Sequence, residues 1–88
     1  MKLSLSPVAM NALLEGIQRE ACSLRRARDI AREFRRAAAF ALRRNDPGMA
    51  DVYRSDALNA WNYASSHRIE LNRLQQRLAA ARVHSRAA

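Results

Sequence analysis

Arg25, Arg26, Arg28, Arg32, Arg35 and Arg36 crowd the first half of this 88-residue chain. Arg25, Arg28, Arg32 and Arg35 recur at three- and four-residue steps, a spacing that lines their guanidinium groups along one helix face, away from a partner helix. A guanidinium offers a planar fork of donors that grips a carboxylate or a phosphate bidentately, so the chemistry on offer is anion recognition. Asp29 and Glu33 interleave with the arginines and can pair with Arg25, Arg32 or Arg36 at helical spacing. Taken alone, the ridge reads more simply as a solvated face. Lysine occurs once, as Lys2, and an arginine bias of this kind also follows from a GC-rich genome.

Catalytic chemistry has little to stand on. His67 and His84 are the two histidines, and Ser65-Ser66-His67 has no third partner to complete a nucleophilic set. There is no glycine-rich phosphate loop, and no Cys, His or carboxylate sits at ligand spacing from either histidine. The chain therefore implies no enzyme, no metal site and no cofactor. The lone Cys22 cannot form an internal disulfide, which suits a reducing compartment and leaves an intermolecular bridge as the one disulfide available. Zinc-finger spacing, RNP aromatics and a recognition-helix turn are all missing, and Tyr53 and Trp61 read as packing residues before stacking platforms.

The elements that must position these groups are set by Arg43-Arg44-Asn45-Asp46-Pro47-Gly48. Basic residues suit a helix C-terminus, and Asn45 tolerates the left-handed conformation that closes a helix. Asp46 then serves as N-cap and Pro47 as first residue of the next helix, where its missing N–H costs nothing. Ser6-Pro7 repeats that start signal, with Leu5 and Met10 placed as a hydrophobic staple. The expected layout is one domain over 1–88, with a helix over 7–44, a turn at 45–47, a helix over 47–84 and a frayed tail at 85–88. Gly16 is the local objection, marking either a kink or the end of a short extra N-terminal helix; one continuous helix is the preferred reading.

Apolar residues alternate by three and four through Met10, Leu13, Ile17, Glu20, Leu24, Ala27, Ala31, Phe34, Ala38 and Ala41, a heptad seam with one polar member. The second seam runs through Ala50, Tyr53, Ala57, Ala60, Ala64, His67, Leu71, Leu74, Leu78 and Ala81, again with one. A short turn forces two such helices antiparallel, and facing residues then have numbers summing to about 91. This register predicts a close, alanine-rich neck beside the turn and a looser, leucine-rich open end. Glu20 and His67 come out one turn apart on the diagonal, within reach of each other unless both rotate to the rim.

The fold expected is all-α: an antiparallel, coiled-coil-like two-helix hairpin. A core this thin leaves flanking apolar residues wet, among them Leu58 and Trp61, so dimerisation into a four-helix bundle is expected to complete it. The net charge of +8 and pI near 11.4 favour acidic partners. The interrupted segment after Pro7 lacks the core of a signal peptide, and no apolar run reaches the ~20 residues of a membrane span. A soluble cytoplasmic protein without a membrane role is the default.

The functional expectation is a non-enzymatic interaction protein, acting as a homodimer or in a tight complex. Arg25, Arg28, Arg32, Arg35 and Arg36 would clamp an acidic protein surface while Leu58 and Trp61 anchor an apolar contact. The alternative is non-specific nucleic-acid binding by the same arginines. Phage-encoded inhibitors of host machinery, including anti-CRISPR proteins, are often small, helical and non-catalytic. That parallel is one of size and style, without a shared motif.

Overall fold

The computed structural model describes the backbone of residues 5–87 and the side chains of residues 5–83. Two helices account for it: α1 (Pro7–Arg43) and α2 (Pro47–Ala87). They pack against each other as an antiparallel hairpin 65 Å long and 16 × 14 Å across. No helix among the described residues is long and apolar enough to cross a membrane.

Each boundary has a local cause. The Ser6 side chain accepts from the Ala9 N–H at 3.2 Å, and Pro7 follows as the first helical residue. At the other end of α1, Asn45 adopts φ 58°, the only positive φ among the described non-glycine residues. The Asn45 N–H donates to Leu42 O at 3.0 Å and the Asp46 N–H to Ala41 O at 2.9 Å, the paired bonds of a Schellman closure. Asp46 at once caps α2, its Oδ1 accepting from the Met49 N–H at 3.1 Å. One residue thus ends the first helix and starts the second.

Two helix ends are adjusted, and the continuous first helix is found as expected. Helix α1 stops at Arg43, with Arg44 as its C-cap, one residue short of 44. It runs unbroken through Gly16, where an added Cβ would meet only Leu74 Cδ1 at 3.5 Å. Helix α2 continues to Ala87 instead of fraying after 84, because Ala79, Ala80 and Ala87 are strong helix formers and no breaker follows Gly48. The side chain of His84 and all of Ala88 lie outside the described residues.

Both heptad seams face inward along their full length. Leu13, Leu24, Ala27, Ala31, Ala38 and Ala41 are buried on α1, and Ala50, Ala57, Ala60, Ala64 and Ala81 on α2. The remaining seam members are half-buried. Ala31 and Ala50 are fully buried, yet no large side chain among the described residues is. Two helices can shield a methyl group between them, but a leucine or an aromatic ring keeps one flank wet.

Candidate interaction surfaces

Two helices packed along one seam leave two long grooves, one on each flank. The polar seam pair sits between them: the Nδ1–H of His67 donates to Oε2 of Glu20 at 2.7 Å, joining the helices across the diagonal. Both side chains keep about a quarter to a third of their surface exposed, at 33% for His67 and 23% for Glu20. Fourteen residues nearer the turn on α1, Phe34 meets Tyr53 at the same diagonal offset, ring centroids 6.4 Å apart and planes 25° apart. Such a pair adds about 0.5–1.5 kcal/mol beyond its buried area.

The first groove is basic. Leu24, Arg28, Trp61, Ala64, Ser65 and Arg68 line it together, and Arg25 and Arg32 extend it along α1 beside Leu71. The arginine ridge therefore does not point away from the second helix, as expected from its spacing alone. Arg28 is half-buried against α2, because its heptad position lies directly beside Leu24 and Ala31 in the seam. Arg35 repeats the position of Arg28 one heptad on, whereas Arg36 turns onto the outer back of α1.

Leu58 and Trp61 share this flank, so the structure brings the expected arginine ridge and the expected apolar anchor onto one face. They are not equivalent. Leu58 is 61% exposed. Trp61 packs against the core cluster of Leu24, Ala27 and Ala64, leaving only part of its indole toward the groove. Arg68 escaped the sequence reading, along with Arg54 and Arg82. The signal was present, since Arg54, Trp61, Arg68 and Arg82 recur at multiples of seven beside the second seam.

Ion pairing leaves most of this face uncommitted. Among the described residues the pairs are Arg32–Asp29 at 3.4 Å, Arg54–Asp51 at 3.5 Å, Arg73–Glu70 at 3.0 Å and His67–Glu20. The three arginine pairs are exposed and each contributes about 0–1 kcal/mol at most. Arg25, Arg28, Arg35 and Arg68 have no acidic partner among the described residues. Arg44 lies over the Phe40 ring, 4.6 Å from its centroid.

The second groove, on the opposite flank, is apolar and nearly charge-balanced, and sequence reasoning did not isolate it. Ala27, Ile30, Phe34, Ala60, Tyr63 and His67 form its floor and walls, with Arg26 and Asp56 as its charges and a volume of about 530 Å³. Ile30 is 38% exposed and Tyr63 69%. Cys22 lies outside both grooves, exposed on the back of α1 with a free thiol.

No protein-family model, curated protein or solved structure matches this chain.

Proposed function

We propose that this chain is a non-enzymatic interaction protein that works as a dimer of hairpins, a four-helix bundle, and binds an acidic protein surface through its basic groove. The observation supporting this reading is the placement of Arg28 and Arg68 around Trp61, without acidic partners among the described residues, in a groove shared by both helices. Arginines and a partly exposed indole around a concave strip are the composition of a protein-binding hot spot. Arg25, Arg32, Arg35 and Arg36 steer the partner, while Leu58 supplies exposed apolar contact at the rim. An inhibitor of host machinery would act in the same way, by covering an acidic surface that another molecule needs.

A nucleic-acid backbone is the competing ligand for the same arginines. The protein reading is preferred because Trp61 is engaged by Leu24, Ala27 and Ala64, and a base needs a free aromatic face to stack on. The test compares a fluorescent glutamate- and leucine-rich peptide with a single-stranded oligonucleotide and a duplex, each titrated with the full chain at low and physiological salt. Tighter binding of the peptide, lost by roughly 30-fold (about 2 kcal/mol) on Arg28→Glu or Trp61→Ala, supports the reading. Preference for either nucleic acid, with affinity falling steeply as salt rises, would replace it with the polyanion alternative.

A further inference from the structure

We infer that a second copy of this chain covers the apolar groove, packed antiparallel about a two-fold axis beside Ile30. The inference rests on the dimeric reading above and specifies its face, register and consequence.

Area is the first argument. The chain exposes 6856 Å², whereas a compact protein of 10.0 kDa exposes about 5200 Å². The excess, on the order of 1600 Å² per chain, matches what each partner gives up in the larger homodimer interfaces. Charge selects the flank. Self-association through the basic groove would set Arg25, Arg28, Arg35 and Arg68 against their own copies, and the acids beside it, Asp29 and Asp51, are already paired with Arg32 and Arg54 of the same chain. The opposite groove holds Arg26 and Asp56, exposes Ile30 and Tyr63, and has the half-buried Phe34 in its wall.

Register follows from the charges at its edge. A two-fold axis perpendicular to the hairpin lays α1 against the partner's α1 in reverse, so that facing residues have numbers summing to a constant. Setting that constant to about 60 puts Ile30 beside its own copy and Arg26 opposite the partner's Glu33, twice by symmetry. Within one chain Arg26 and Glu33 are two helical turns apart, about 10.5 Å, too far to pair with each other. Along α2 the same axis sets Asp56 near the partner's Ser66 and Tyr63 near the partner's Asn59, so no like charges oppose. The two basic grooves then face outward on opposite sides of the bundle, making the dimer bivalent for acidic partners.

Light scattering after size exclusion, over a range of concentrations of the full chain, tests this. The wild type should run at twice 10.0 kDa. Ile30→Asp should give a monomer, and Leu14→Asp, on the basic flank, should leave the mass unchanged. Arg26→Glu and Glu33→Arg should each raise the dimer dissociation constant about 10-fold or more, and the double variant should restore it. Circular dichroism separates dissociation from unfolding, and recovery in the double swap stands even where Ile30→Asp unfolds. A wild type that is monomeric throughout overturns the dimer and this interface together. A dimer that survives Ile30→Asp, or that Leu14→Asp dissociates, overturns the assigned face while leaving a dimer in place. Failure of the double swap to recover overturns the register.

Discussion

His67 donates to Glu20 at 2.7 Å from a position 47 residues away in sequence, and the Phe34–Tyr53 stack repeats that diagonal two heptads along α1. These four side chains are the alternate seam positions on the apolar flank, and each is too long to stay within its own layer. They reach one turn along the seam and so join the helices across successive layers.

The Glu20–His67 bond is half-wet, so its net contribution is modest. A double-mutant cycle with Glu20→Ala and His67→Ala, followed by urea unfolding at fixed protein concentration, should give a coupling of about 1 kcal/mol. Replacing both residues by leucine should leave stability unchanged or raised, because an apolar pair needs no hydrogen bond in that layer. Additivity of the two alanine variants would show that the contact contributes nothing to stability.

At the turn, the conformation of Asn45 sets what it tolerates. With φ 58°, Asn45→Gly should be neutral within about 0.5 kcal/mol, whereas a β-branched Asn45→Val should destabilise by about 1–2 kcal/mol. Asp46→Ala removes the cap of α2 and should cost about 1 kcal/mol, seen as a melting temperature lower by about 4–8 °C. A valine variant as stable as the wild type would mean that the Schellman closure is dispensable.

The hairpin was legible in the sequence because its signals are local or periodic. Asn45-Asp46-Pro47 specifies a stop and a restart, and the three-four alternation places every seam residue before any packing is known. The surfaces were harder to read. Spacing shows that Arg25, Arg28, Arg32 and Arg35 share a face but gives no angle from the seam, so the ridge was set on the far side of α1 when it borders α2. The basic groove also needs Arg68 and Trp61 from the other helix, and neither has meaning as a groove wall until the flanks of both seams are paired. The apolar groove was hidden for a different reason: Ile30 and Tyr63 are isolated apolar residues in sequence, joined only by the antiparallel register.

Gly16 sits inside an unbroken helix with ordinary space around the missing methyl group, its nearest neighbour being Leu74 Cδ1 at 3.5 Å. Gly16→Ala should therefore stabilise the chain by about 0.5–1 kcal/mol, as expected when helix propensity is regained without a clash. A loss of stability would mean that the close approach of Leu74 matters more than backbone entropy.

The alanine neck makes the opposite prediction, because there the space is already filled. Ala31 is fully buried, and its facing residue, Ala60, is 7% exposed. Ala31→Leu adds three carbons where two helix backbones lie close, and must either push the helices apart or force strained rotamers, at about 1–3 kcal/mol. Ala39→Leu, at an exposed position of the same helix, changes the same residue type without that constraint and should shift stability by no more than about 0.5 kcal/mol. Thermal unfolding of the two variants side by side separates packing from helix propensity. Equal melting temperatures would show that the neck is loose enough to accept a larger side chain and that α1 and α2 are held mainly by the leucine layers at the open end.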